Sequence, residues 1–588
     1  MMHFSFSDTI AGYVTDFDQG SDTFGIRTTD GRVFRCKLKG NTYAYLVRNL
    51  GDPYSDCTGD LRKMLVRDSY LFVYGIFYPQ GDGHVFEAQF LVYVGRKPSE
   101  YVFERPDWWI KQIGALAEFY LRAQFGDDGI DYRNYRTTIT LTGAKAKDNY
   151  RQETDTISRL VYGFATAYML TGDDRSLAAA EKGTEYLREH MRFYDQDEKI
   201  VYWYHGIDVH GPREDKVFAS EFGDDFDAIA AYEQIYALAG PVQTYRVTGD
   251  PRILRDAELT IDLFDRFFLD TKHGGYFSHL DPVALDARSE ALGSNRARKN
   301  WNSVGDHAPA YLINLWLATG EQRYARMLEY TFDIIAERFP DYGHSVFVQE
   351  RFYEDWSHDA AHMWQRNRAV VGHNLKIAWN LMRMYSLRPK AEYEALAREI
   401  GEVVPSVGCD QQRGGWYDVM ERLKGLDEEV HRFAFHDRKA WWQQEQAILA
   451  YLILAGVLGG PEYLRLAREA AAFYNAFFLD HDDGAVYFNV LATGIPYLMG
   501  TERFKGSHSM SGYHSFELAY LAQTYTNLLF KRSVLRVSPD ILPPGRVCLD
   551  AVWIDGEPYQ NFDANALTVK LPDTKDEVRV RVRLAPNP

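Results

Sequence analysis

The sequence predicts a mainly α protein: an (α/α)6 barrel of twelve helices at 101–532, a small N-terminal β domain at 1–100 and a short C-terminal β segment at 533–588. Three observations lead there. Apolar residues take helical spacing from Pro106 and keep it for over four hundred residues, until Val534. Within that stretch a helix–turn–helix unit recurs, with turns at Thr171-Gly172-Asp173, Thr248-Gly249-Asp250 and Thr319-Gly320-Glu321, the threonines 77 and 71 residues apart. Pro389 and Pro461, 72 apart, mark the turn in later copies, where proline suits the first turn of a following helix.

Taken in order, residues 1–100 read as strands, with one hairpin over 23–38 around Asp30-Gly31 and another over 71–94 around Gly81-Asp82-Gly83. An OB-like barrel is one way to arrange them. Nucleic-acid binding is not expected of it, because eleven Lys/Arg and eleven Asp/Glu occur up to Lys97 and the whole chain carries a formal net charge of −17. Helices then follow at 107–125, 152–170, 174–193, 226–247, 251–268, 305–318, 321–339, 370–385, 390–405, 441–457, 461–478 and 512–530. Hairpins at a period near 70, with the first helix left to partner the last, favour a closed barrel over an open array, for which no capping repeats are evident. Alternation returns in 578–584 and ends the chain as β structure.

Short turns alternate with connections of about thirty residues or more, which places all long loops at one end, the expected functional face. Three of these loops share a glycine–aromatic cue: His273-Gly-Gly-Tyr-Phe277, Arg413-Gly-Gly-Trp-Tyr417 and Asp483-Gly-Ala-Val-Tyr-Phe488. The glycines suit tight turns and the aromatics could wall a cleft.

Hydrophobic residues at 46%, charged at 25% and aromatic at 15% describe a globular chain with rings to spare for stacking on sugars. The start of the chain lacks a basic, apolar leader and no eighteen-residue apolar run occurs, so a soluble cytoplasmic protein without membrane partners is expected. Cys36, Cys57, Cys409 and Cys548 form no CxxC pair and suggest neither a zinc knuckle nor a disulfide scaffold.

Each inner helix begins after a long loop, so the residues at those starts converge on one mouth. They are Arg159, Asp225, His307, His373, the run Trp441-Trp-Gln-Gln-Glu-Gln446, and His514. The steps from His307 to His373, Glu445 and His514 are 66, 72 and 69, so equivalent places in successive repeats hold groups suited to proton transfer near neutral pH. Two other constellations compete. His358 and His362, beside Asp355 and Asp359, have the spacing of two metal ligands on one helix face, though without the HExxH glutamate; no metal is expected. Asp225, with Glu153, Asp155 or Glu445, would make the acid pair of a glycoside hydrolase.

These motifs resemble those of the N-acylglucosamine 2-epimerase superfamily over about residues 106–530. Ser158-Arg-Leu-Val-Tyr-Gly-Phe164 is similar to its arginine-bearing helix start, and Tyr232-Glu-Gln-Ile-Tyr-Ala237 to its second inner helix. Asn302-Ser-Val-Gly-Asp-His307 resembles its Asn-Thr-His-Leu-His segment with one residue more. Gly372-His-Asn-Leu-Lys-Ile-Ala-Trp379, Trp441-Trp-Gln-Gln and Tyr513-His514 resemble three further motifs, in the same order. The resemblance implies a sugar 2-epimerase or aldose–ketose isomerase, acting on a mono- or oligosaccharide without a cofactor. It assigns proton transfer at C2 to His373 and His514, substrate binding to Arg159 and His307, and a stacking face to Trp441, with Glu445 as a further binding candidate. Three residues depart from the pattern: Lys376 stands where the family often has Glu, Glu445 precedes Gln446 where the family's acid is expected, and Glu517 replaces an arginine. A hydrolase or lyase on the same barrel, or a non-catalytic carbohydrate-binding protein, is the alternative; the sugar, the direction and the oligomeric state are left open.

Overall fold

A computed structural model describes residues 4–81, 83–127, 129–146, 149–221, 223–360, 367–530, 534–536, 547–572 and 580–586. Helix occurs at each of the twelve expected places, from Trp108–Phe125 to Tyr513–Leu529. The threonine–glycine turns combine three local devices. Gly172, Gly249 and Gly320 adopt φ of 71°, 69° and 72°, the left-handed conformation that ends a helix and that only glycine adopts at little cost. The preceding threonine hydroxyl donates back to the carbonyl four residues earlier, and Asp173 and Asp250 then cap the next helix through their carboxylates. Pro461 opens its helix as expected, whereas Pro389 lies just outside the helix Ala391–Val403.

Helices separated in sequence pack in succession. Thr154–Thr171 meets Ala239–Thr248, which meets Ile313–Thr319; Val371–Leu387 meets Trp441–Leu458, which meets Tyr513–Leu529. The last of these packs on both Trp108–Phe125 and Thr154–Thr171, so the two ends of the helical region touch. One hydrophobic core runs through all of these helices.

Three helices depart from plain α geometry. Leu187–Met191, Phe264–Phe268 and Ala308–Leu312 are single π turns. The third interrupts the predicted helix 305–318, which consists of Trp301–Gly305, the π turn and Ile313–Thr319. A π turn takes one residue more than an α turn.

Short strands, too brief to show alternation, precede most inner helices. Ile229–Ala230 pairs with His279–Leu280, Arg298–Asn300 with Arg351–Tyr353, Arg368–Val370 with Val419–Glu421, and Lys439–Ala440 with Asn489–Val490. The loops that bring the partner strands turn on a repeated device. Asp270, Asp410 and Asp480 each accept two backbone N–H groups of the following turn and hold a fully buried lysine: Lys299 at 2.8 Å, Lys439 at 3.0 Å and Lys505 at 2.8 Å. Gly415 (φ 77°) shows why glycine is needed there, since a Cβ would lie 2.5 Å from Phe473. Of the loop aromatics, Tyr276, Phe277 and Trp416 fill the core rather than a cleft.

At the N-terminus, six strands pair in the order Val33–Lys37, Thr23–Arg27, Phe6–Asp18, Tyr70–Gln80, Gly83–Tyr93 and Tyr43–Leu46, and Val33–Lys37 also pairs with Gly83–Tyr93. This unit has its own core. It docks through Phe72, whose ring meets Phe473 at 6.0 Å and Phe477 at 5.0 Å, and through the Asp8–Arg413 ion pair. At the C-terminus, Val547–Ile554, Glu557–Tyr559 and Val580–Pro586 form one three-stranded sheet, beside a second of Val534–Arg536, Thr568–Lys570 and Phe562–Asp563.

Candidate active site

A cavity of about 410 Å³ opens where the starts of the inner helices meet. Of the residues expected at its mouth, Arg159, Asp225, Trp441, His373 and His514 line it. His307 and Glu445 do not, and the physical reason differs for each.

His307 sits immediately before the π turn. Asp306 lines the cavity, whereas His307 points into the core, where its Nδ1 meets the Tyr311 hydroxyl at 2.8 Å and its ring packs against Phe264 and Tyr276. Burial pushes this imidazole down to about 3, so it is neutral at pH 7. It packs in the core and does not line the cavity.

Glu445 lies on a helix that is apolar on every side, and the residues 443–446 are all buried. Its Oε1 accepts from Tyr474 at 2.9 Å and Ser515 at 2.5 Å. Burial raises the carboxyl to about 8, which leaves it protonated at neutral pH. The acid pair of Asp225 with Glu445 is therefore not assembled in the cavity. A carboxyl raised in the folded state contributes stability that is present below its unfolded pKa of about 4.5 and is lost as pH rises through 8. Glu445→Gln, which keeps the shape without the titration, should therefore gain stability over the wild type as pH is raised from 5 to 8, read as urea midpoints at the two pH values. A constant difference across that window would contradict the assignment.

Four imidazoles line the cavity, those of His279, His373, His508 and His514, and two of them touch the same indole: Trp442 lies 5.3 Å from His373 and stacks at 5.7 Å on His514. Gly372 makes this possible, because a Cβ there would come within 2.6 Å of Trp442. His373 Nδ1 is held at 2.7 Å by Glu350, and His514 Nδ1 lies 3.3 Å from Gln446 Nε2 and 3.6 Å from Glu517. Among the described residues the hydrogen-bond partners of both rings lie at Nδ1, which leaves Nε2 for a ligand. Burial lowers His514 to about 4, so it is a neutral base at pH 7.

Arg159 completes one wall. Its guanidinium lies 4.0 Å from the centre of Tyr236 and 4.9 Å from that of Tyr232, donates to the Tyr232 hydroxyl, and has Asp155 at 3.7 Å. Trp441 opens its helix against Phe488 at 4.6 Å and presents an aromatic face. Asp225 is tied to His279 at 2.6 Å; burial would raise its carboxyl, but the hydrogen bond from His279 keeps it below the usual range.

Four further participants are not among the site residues that the sequence points to: Asp306, Lys376 and Tyr236, which lie inside the motifs quoted above, and Glu350, which lies in none. Lys376 Nζ donates to Asp306 at 2.6 Å and to the Tyr236 hydroxyl at 2.9 Å, while Asn302 donates to the other oxygen of Asp306 at 2.8 Å. Burial would raise the Asp306 carboxyl, yet the Lys376 ammonium holds it below the ordinary carboxylate range. The one legible signal for this pair is the coincidence of two departures, an additional residue before His307 and a lysine at 376. Glu350 comes from a loop outside the helical register and leaves no signal.

His358 is half-exposed near Asp341, and His362, its proposed partner, lies outside the described residues. Among the described residues no group of three potential ligands is assembled for a metal, and no helix is long and apolar enough to cross a membrane.

The family model for N-acylglucosamine 2-epimerase matches residues 139–499. A cellobiose 2-epimerase of Ruminococcus albus is 21% identical over 334 residues, spanning 56% of this chain and 77% of that protein. Among solved structures, a D-mannose isomerase aligns with a TM-score of 0.57 at 18% identity, covering 72% of this chain and 98% of the other. The cellobiose 2-epimerase of Spirochaeta thermophila aligns with a TM-score of 0.58 at 18% identity, covering 72% and 97%. The helical region therefore matches the (α/α)6 fold of these proteins.

Proposed function

The chain belongs to the N-acylglucosamine 2-epimerase family, and on that premise we propose that it epimerises or isomerises a reducing sugar by moving the proton at C2, with His373 and His514 as the two proton-transfer groups. The observation that carries this reading is the pair of imidazoles lining one cavity against a shared indole, each with Nδ1 engaged and Nε2 left over. One imidazole removes the C2 proton of the open-chain aldose and leaves a cis-enediol. Return of a proton to the opposite face of C2 gives the epimer, and return to C1 gives the ketose. Arg159, already charged and oriented by its tyrosines, stabilises negative charge on the enediol oxygens, and Trp441 stacks on a sugar face. Catalysis resides in residues 101–532, which we take as a closed ring of six inner and six outer helices.

The test is incubation with a panel of reducing sugars in D2O, followed by NMR. Deuterium at C2 of recovered sugar and product is expected, and no incorporation into any aldose would overturn the reading. Glu350 is a positioning residue here, fixing the tautomer and orientation of His373. Glu350→Gln should lower kcat on the order of 10²-fold with KM little changed, and should alter the pH profile of kcat, which a merely structural loss would leave in place.

A further inference from the structure

We propose that Asp306 and Lys376 open the sugar ring before the C2 proton is moved, as an acid–base pair that restores itself after each cycle. This rests on the sugar-isomerising reading above and adds residues that the family's pattern does not supply, because the pattern has neither an aspartate at this place nor a lysine three residues after the first histidine.

The geometry has three parts. Both side chains line the cavity that holds His373 and His514, Lys376 from the helix Val371–Leu387 and Asp306 from the turn after Trp301–Gly305. They are only 1% and 3% exposed, so bulk water does not compete for their protons. Lys376 Nζ has three N–H donors and uses two, on Asp306 and Tyr236, which leaves one with no partner among the described residues. Asp306 in turn has Asn302 on its second oxygen, which fixes the plane of the carboxylate.

A cyclic aldose opens when O1 loses its proton and O5 gains one as the C1–O5 bond breaks. Asp306 takes the O1 proton, the O1–H electron pair becomes the second bond of the C1 carbonyl, and the electrons of C1–O5 leave with O5. The Lys376 ammonium protonates O5. The pair is then a carboxylic acid beside a neutral amine, and the proton passes from Asp306 to Lys376 across their 2.6 Å contact to regenerate the ion pair. With the two transfers concerted, the net charge of the pair is zero before and after ring opening, which suits a step carried out in a buried site. The arrangement also explains why an aspartate and a lysine depart from the pattern together: either alone would be a buried, unpaired charge.

The experiment compares two aldoses in D2O. One is the cyclising sugar the wild type turns over; the other is glyceraldehyde, which has too few carbons to close a ring of this kind and needs no opening. The variants are Asp306→Asn, Lys376→Met and the double Asp306→Asn/Lys376→Gln, which removes both charges together and keeps hydrogen-bonding shape where a single variant fails to fold. The expected result is a loss of on the order of 10²-fold or more in kcat/KM for the cyclising sugar, with deuterium exchange into glyceraldehyde kept within about threefold. His373→Asn, the comparison, should lose inversion at C2 of both aldoses. Equal loss with both aldoses would overturn the proposal, and so would full retention with both. A wild type that exchanges deuterium into no aldose would instead refute the isomerising reading on which it stands.

Discussion

His373→Asn and His514→Asn are each expected to lower turnover of the cyclising sugar by about 10² to 10⁴, the contribution of one general acid or base. Inverting C2 requires a proton to leave one face and arrive at the other, so neither imidazole can do the work of both. His514 is suited to accept a proton, since burial holds it neutral down to about pH 4. His373 is suited to relay one, because Glu350 can stabilise the imidazolium it becomes. Asparagine keeps a hydrogen-bonding group at each place, so the far-UV circular dichroism and melting temperature should change little. A single variant should retain deuterium exchange from one face without forming the epimer. Wild-type turnover in both variants would refute the two-histidine assignment.

The second large effect is on stability. Lys439→Met should destabilise the fold by about 3 kcal/mol or more, because it leaves the Asp410 carboxylate buried without its main counter-charge. Lys439 Nζ is fully satisfied, donating to Asp410 at 3.0 Å and to the carbonyls of Gly414 and Ala492 at 2.7 and 2.8 Å. Removing Lys439 releases two loops at once. It also loosens the N-terminal sheet, since the Asp410 turn carries Arg413, which pairs with Asp8, and Gln412, whose carbonyl accepts from Ala11. The double variant Asp410→Asn/Lys439→Met should lose less than the single one, because no charge is left behind. Urea unfolding followed by near-UV circular dichroism measures both; a cost under about 1 kcal/mol for Lys439→Met would place the strength of the fold elsewhere.

Most of the helices were legible from a 3.6-residue rhythm, and two of them end in a turn whose chemistry is local: a threonine that bonds back, a glycine that turns left and an aspartate that caps the next helix. The site was legible down to the helix starts, but not always to the residue. His307 is in register by sequence count and misplaced by one position in space, since a π turn cannot be told from an α turn by apolar spacing. In the run from Trp441 to Gln446 every residue belongs to a helix start, yet only Trp441 and Trp442 reach the cavity; a helix buried all round gives no amphipathic stripe from which to choose a face. The Asp270, Asp410 and Asp480 turns do recur, at 140 and 70 residues, and mark the repeat as well as the Thr-Gly turns do. The strands of two or three residues are set by partners some fifty residues away and have no local signature.

The contact of Tyr513–Leu529 with Trp108–Phe125 and Thr154–Thr171 has a consequence for how the chain is made. During synthesis, the first helices emerge nearly four hundred residues before the helix that covers them, and at common elongation rates of about 5–20 residues per second they wait tens of seconds with apolar flanks uncovered. A chain completed by that contact should be most prone to aggregation before its last helix is made, and most dependent on chaperones during that interval. A chain recut so that synthesis begins within one of the exposed turns, with the old ends of the helical region joined, would have its seam elsewhere and shift that vulnerable window to a different pair of helices.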